Sequence, residues 1–317
     1  MTAGKTDKRA VLMFPGQGAQ YVGMARTLYE GSDVARDMID RADRVLGVKL
    51  SEIMFDGPPE ELKLTKNTQP AIFLHSAVLV KTLEPFPFEV SAACGHSLGE
   101  YTALFSAGSL SFEDALWLVR ERGMLMYESG VKRGGTMAAV IGIDADELES
   151  ICVESSEDDV VRPANFNCPG QLVISGDVVA VHRAMERAAV AGARRVIELD
   201  VSGAFHSPLM EDASTGLRER LERVEISDAV FPVITNWAAE PVSTGADIRE
   251  ALVSQLTHPV LWESSMKHLL AAGEDTFLEL GPGRVLSGLL KRVDRSVNVR
   301  NADTAEDLLK LRTEIDK

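Results

Sequence analysis

Several residues in this chain stand in settings that suit nucleophilic catalysis. Ser97 lies in Gly95-His96-Ser97-Leu98-Gly99, after a short apolar run and before a helix-prone segment. That order fits a nucleophile elbow, in which the chain bends sharply from strand to helix and leaves the hydroxyl standing above the sheet edge. The helix that follows directs free N–H groups to the same spot, where negative charge develops as a serine attacks a carbonyl. His206, in Gly203-Ala204-Phe205-His206-Ser207-Pro208, sits at the exit of a strand in a loop suited to line a cleft. Gln17, between Gly16 and Gly18, lies where backbone N–H groups can turn toward an oxyanion.

Arg122 belongs to a charged cluster with Arg120 and Glu121 on a helix, where arginines are ordinarily solvated. The neighbouring Gly123 leaves room for a guanidinium or a ligand to approach closely. Gln69, in the polar stretch 65–70 before an apolar helix at 71–83, is either a loop cap or an amide projecting into a pocket. Pro70 suits the first turn of that helix. His96 adjoins Ser97, but neighbouring side chains in an elbow point apart, which favours packing or hydrogen bonding for it. Gly16-x-Gly18 after a first strand also suggests a dinucleotide fingerprint, but the third glycine falls at Gly23, out of position, and no suitable acidic residue ends a second strand.

The elements that must position these groups alternate. Strands are expected at 10–14, 90–95, 230–235 and 276–280, with helices over 24–46, 71–83, 115–127, 210–224, 247–256, 263–272 and 285–293. Residues 51–64 read as a short, Pro-interrupted helical connection. Strands alternating with helices indicate a mainly parallel sheet. Between them, residues 134–201 read as β-α-β-β-α-β, the order of a ferredoxin-like unit, with a capping box at Asp144-Ala145-Asp146-Glu147. The expected division is a large domain, 1–133 and 202–317, carrying a small inserted domain, 134–201.

The chain has 317 residues, a net charge of -15, 45% hydrophobic and 26% charged residues, which is ordinary for a globular enzyme. The acidic balance argues against nucleic-acid binding. Three scattered cysteines without metal-like spacing point to a reducing, cytoplasmic setting, with no disulfide framework and no metal or cofactor site. The leader 1–9 is polar and lacks a signal-peptide core, and no apolar run is long enough to span a membrane.

With these motifs in view, the chain resembles the malonyl-CoA:acyl carrier protein transacylases and the related polyketide synthase acyltransferases. The likeness rests on Phe14-Pro15-Gly16-Gln17-Gly18-Ala19-Gln20, Thr68-Gln69-Pro70-Ala71, Gly95-His96-Ser97-Leu98-Gly99-Glu100-Tyr101, Arg122-Gly123 and Gly203-Ala204-Phe205-His206, and covers nearly the whole chain. It implies an α/β-hydrolase-like large domain with a ferredoxin-like insertion. It also implies malonyl transfer from malonyl-CoA, through Ser97 with His206 as base, to the phosphopantetheine thiol of an acyl carrier protein in fatty acid or polyketide synthesis.

By the same resemblance, the N–H groups of Gln17 and Leu98 form the oxyanion hole and Arg122 holds the malonyl carboxylate in a two-pronged pair. Gln69 belongs to the substrate site, and Phe205 favours malonyl over methylmalonyl, a preference worth about 1–3 kcal/mol per methyl. The carbonyl that orients His206 is expected at Leu261. Asp144, Asp177 and Asp200, which lie between serine and histidine in the chain, read as structural. An acidic carrier calls for local basic groups, and Lys132-Arg133, Arg194-Arg195 and Lys291-Arg292 with Arg295 are candidates. An acyl hydrolase with the same Ser97 and His206, or a non-catalytic carrier-docking domain, are the competing readings; Arg122 speaks against the first and the intact set of side chains against the second.

Overall fold

A computed structural model describes residues 9–315, so the first eight residues of the polar leader lie outside the described residues. The chain opens with β1 (Arg9–Phe14), whose residues after Arg9 are all buried. Leu12 and Phe14 enter one apolar cluster, Val11 and Met13 another, because successive strand residues face opposite sides of a sheet covered on both.

Helices α1 (Arg26–Gly31), α2 (Asp33–Leu46), α3 (Leu50–Asp56), α4 (Pro59–Lys63) and α5 (Thr65–Leu83) follow, then β2 (Glu89–Gly95), α6 (Gly99–Ser106) and α7 (Phe112–Arg133). The single helix expected over 24–46 is broken at Ser32, whose side chain caps α2 by accepting from the Ala35 N–H.

A second unit runs β3 (Thr136–Ile141), α8 (Ala145–Ser156), β4 (Val161–Cys168), β5 (Gln171–Gly176), α9 (Val178–Val190) and β6 (Arg195–Leu199). The chain then passes a 3-10 turn (Pro208–Met210), α10 (Glu211–Leu221), β7 (Val233–Ile234), β8 (Pro241–Val242), α11 (Gly245–Gln255), α12 (Trp262–Ala271), β9 (Thr276–Leu280), α13 (Val285–Val293), β10 (Asn298–Ala302) and α14 (Ala305–Ile315). The architecture is mixed α/β. One six-stranded sheet, ordered β10-β9-β1-β2-β7-β8, is parallel except for the β7–β8 pair. A separate four-stranded antiparallel sheet is ordered β4-β5-β3-β6.

Two differences from the sequence reading have physical causes. α5 begins at Thr65, not at Pro70, so the expected polar loop is helical and Pro70 lies inside it. Proline supplies no N–H for the carbonyl four residues back, that of Lys66, and the Arg120 guanidinium of α7 satisfies this carbonyl instead. The strand expected over 230–235 shrinks to two residues, because Pro232 has no N–H and the Val230 N–H is spent on the Ala107 carbonyl.

The two sheets are joined through main chain. The Phe166 N–H donates to the Val260 carbonyl at 2.9 Å and the Val260 N–H to the Ala164 carbonyl at 2.8 Å, tying β4 to the loop before α12. Among the described residues no helix is long and apolar enough to cross a membrane.

Candidate active site

Between β2 and α6, Ser97 adopts φ 51°, a left-handed conformation that a residue with a side chain holds only when its surroundings enforce it. The Gly99 N–H reaches the His96 carbonyl and the His96 N–H the Phe14 carbonyl, both at 3.0 Å. A Cβ on Gly95 would fall 2.0 Å from the Gly99 carbonyl carbon, and one on Gly99 would fall 2.2 Å from the Phe14 oxygen, so this crossing of β1, β2 and α6 admits no side chain at either glycine. Below the turn, buried Asn236 donates from Nδ2 to the Gly95 carbonyl at 2.7 Å, while its Oδ1 accepts the Ser97 N–H at 2.6 Å.

His206, also at a positive φ of 57°, brings Nε2 to 2.8 Å from Ser97 Oγ. Its Nδ1 lies 2.9 Å from the Gln255 carbonyl. A carbonyl only accepts, so Nδ1 carries the hydrogen and Nε2 presents a lone pair to the hydroxyl. The expectation of Leu261 for this orienting carbonyl is corrected. The Leu261 carbonyl accepts from the Ser265 N–H at 2.9 Å and Oγ at 3.0 Å, in the first turn of α12. Carbonyls at a helix start are consumed by the next turn, whereas Gln255 ends α11, where carbonyls have no partner within the helix.

Arg122 is fully buried rather than solvated. Its Nη1 donates to Gln69 Oε1 at 2.6 Å, and its Nη2 to Gln255 Oε1 at 2.9 Å and to Ser97 Oγ at 3.0 Å. The guanidinium lies 5.7 Å from the Tyr101 ring centroid. All its hydrogen-bond partners are neutral, and Nε has none among the described residues. The space beside Gly123 is taken by α5, whose Thr65 oxygen would be 2.9 Å from an added Cβ. The glycine thus lets α5 and α7 approach, which carries Gln69 to Arg122.

Gln17 follows β1 and is partly buried, and Leu98 immediately precedes α6. No backbone acceptor takes the N–H of either among the described residues. Phe205 is buried in the main apolar cluster beside the base. His96 bonds Asn167 Oδ1 through Nε2 at 2.9 Å and packs on Trp262, in line with the structural reading.

The three aspartates engage other groups. Asp144 caps α8 by accepting the Glu147 N–H at 2.9 Å, Asp177 accepts the Val160 N–H at 2.8 Å, and Asp200 pairs with Lys63. Of the basic pairs, Lys132 is bound to Asp212 at 2.6 Å, Arg292 donates to Gln171 at 2.6 Å, and Arg194 packs over Gly142.

Burial, and then the positive charge of Arg122, push the His206 pKa down to about 3. Burial also lowers that of His96. A cleft of about 550 Å³ reaches His206 from outside, lined on one side by Pro208 and His258 and on the other by Val153, Arg162 and Phe166. The sequence marks neither Asn236 nor Gln255 by any motif, and Asn167 is legible there only as the start of a turn, without its bond to His96. Glu100 stands within the elbow motif without a role legible from the sequence.

The family model described as acyl transferase domain matches residues 11–314. The malonyl CoA-acyl carrier protein transacylase of Bacillus subtilis is 44% identical over 302 residues, spanning 94% of this chain and 95% of that protein. Among solved structures, the malonyl CoA-acyl carrier protein transacylase of Coxiella burnetii matches with a TM-score of 0.93 and 36% identity over 98% of both chains. A malonyl-transacylase in complex with its type II polyketide synthase acyl-carrier protein matches with a TM-score of 0.93 and 37% identity, over 97% of this chain and 100% of that one. A serine, an imidazole and a guanidinium gathered at one elbow thus occur in a chain that, by sequence and by fold, belongs to the acyl transferase domain family.

Proposed function

We propose that this chain moves a malonyl group from malonyl-CoA to Ser97 and then to the phosphopantetheine thiol of an acyl carrier protein. The observation that carries the reading is Ser97 Oγ held between His206 Nε2 at 2.8 Å and Arg122 Nη2 at 3.0 Å. The Ser97 proton passes to Nε2 as Oγ attacks the thioester carbonyl, and the departing CoA sulfur takes that proton. The carrier thiol then gives its proton to Nε2 and attacks the acyl-serine ester, and the proton returns to Oγ as the ester bond breaks. The N–H groups of Gln17 and Leu98 are the oxyanion donors in this reading, each worth about 2.7–4 kcal/mol of transition-state stabilisation.

A buried guanidinium whose direct hydrogen-bond partners are all neutral and whose Nε is unpaired has no anion in contact with it, and a malonyl carboxylate supplies one. A simple acyl chain does not, which favours transfer of a dicarboxylic acyl group over general acyl hydrolysis. Phe205 is read as limiting space beside the base, and Gln69 as aligning Arg122. The larger sheet with its helices is read as α/β-hydrolase-like, and 134–201 as a ferredoxin-like insertion, a reading supported by the β4-β5-β3-β6 order. The cytoplasm is the proposed setting, and three free, buried cysteines accord with it.

The test is intact-mass measurement after mixing with malonyl-CoA. A malonyl adduct that transfers to holo-carrier and is absent in Ser97→Ala is expected. No adduct, or one that persists in the variant, refutes the reading.

A further inference from the structure

Glu100, on α6, is 1% exposed and has no solvent to carry its charge. Two donors converge on its Oε2: the Asn236 N–H and Gln255 Nε2, each at 2.9 Å. Because a carboxylate only accepts, it fixes the Gln255 amide with nitrogen toward Glu100 and oxygen toward Arg122. Gln255 Nε2 also donates to the Ser97 carbonyl at 2.9 Å, and the Gln255 carbonyl holds His206. Glu100 and Arg122 are therefore separated by a single amide, and among the described residues no other carboxylate bonds to the partners of this guanidinium.

With Glu100 ionised, the buried pair sums to zero. A substrate carboxylate arriving at Arg122 would leave two anions and one cation without water, an arrangement that neighbouring carboxylates resolve by binding a proton. We propose that Glu100 is the resident counter-charge of Arg122 and takes up one proton from solvent when an acyl carboxylate occupies the guanidinium. The inference rests on the malonyl reading above. Both hydrogen bonds fall on Oε2, so a proton on Oε1 leaves the Gln255 amide in place.

The charged and titratable groups around Glu100 are Arg122 from α7, Tyr101 from its own helix and, beyond Gln255, His206 with His96. Both imidazoles are held below their ordinary range and stay neutral near pH 7, and burial pushes the Tyr101 phenol up. Glu100 alone among them is poised, raised by burial to about 7. Below that pH it already carries the proton in the free protein. Above it, binding must bring the proton in, so uptake grows from pH 6 to 8, and malonyl affinity falls by up to about tenfold per pH unit above 7.

Calorimetric titration of the full-length Ser97→Ala protein with malonyl-CoA, in buffers of different ionisation enthalpy, reads this uptake. Acetyl-CoA, which has the same phosphates and no free carboxylate, is the control. Uptake approaching one proton at pH 8 with malonyl-CoA, none with acetyl-CoA, and its loss in Ser97→Ala/Glu100→Gln are expected. Tighter binding of malonyl-CoA without proton uptake, or equal uptake with both thioesters, overturns the proposal and leaves the malonyl reading standing. Equal affinity for both thioesters overturns that reading and this inference with it. The comparison of the two thioesters does not depend on the Glu100 variant folding.

Discussion

Arg122 Nη2 donates to Ser97 Oγ at 3.0 Å while His206 Nε2 lies 2.8 Å from the same oxygen, so the residue read as holding the substrate also touches the nucleophile. The guanidinium favours negative charge on that oxygen and, by the same positive charge, disfavours a proton on the imidazole.

Replacing Arg122 separates these effects. Arg122→Ala removes a buried group that holds Gln69, Gln255 and Ser97, and kcat/KM for malonyl-CoA should fall roughly a hundredfold to a thousandfold, about 3–4 kcal/mol. Acylation by acetyl-CoA should fall less. Arg122→Lys supplies charge without the planar fork and should recover only part of the malonyl rate. Equal losses for both thioesters in steady-state kinetics would remove the carboxylate-binding role.

The imidazole should show its suppressed basicity directly. In NMR titration His206 should stay neutral to pH 4, and Arg122→Gln should raise its midpoint while burial keeps it below the ordinary 6.5. The sign for stability follows. Between pH 6.5 and 3 an unfolded imidazole takes up a proton that the native one refuses, so His206 costs the folded state up to about 1.4 kcal/mol per pH unit as pH falls. His206→Gln should flatten part of the acid limb of a thermal-melt series. An unchanged limb together with a midpoint near 6.5 would contradict the burial argument.

Two substitutions near the histidine should differ sharply. Leu261→Ala should leave kcat within about twofold, since the Leu261 side chain makes no hydrogen bond to the catalytic groups and the carbonyl that orients His206 is that of Gln255. Gln255→Ala keeps that carbonyl but removes the amide between Arg122 and Glu100, leaving both short of a partner. A rise in KM for malonyl-CoA of more than tenfold, with a smaller change in kcat, is expected. An unchanged KM for malonyl-CoA in Gln255→Ala would remove the amide between Arg122 and Glu100 from the carboxylate site.

The elbow tolerates no added carbon. Gly99→Ala places a methyl against the Phe14 carbonyl and must push α6 away from β1. Soluble yield, melting temperature and acyl-enzyme formation should all drop. Wild-type values for all three would mean that the crossing is looser than described.

Much of this was legible because short motifs carry local geometry. The glycines around Ser97 announce a bend, and the all-apolar β1 announces a strand covered on both faces. Alternation gave the parallel sheet, and β9 and α13 fall where their patterns end. What escaped depends on contacts far apart in sequence. Pro70 reads as a helix start unless Arg120 is known to satisfy the Lys66 carbonyl. Gln255 carries no signal of its own within the helix pattern until α11 is seen to end beside His206. The edge strand β10, Asn298–Ala302, has too few apolar residues to announce itself.

The joint between β4 and Val260 is built from peptide groups, and side-chain substitution leaves peptide groups in place. The aperture over His206 is thus a fixed frame with exchangeable trim. Substitution at Val153, Arg162 or Phe166 re-lines the cleft while leaving the peptide joint beside it intact.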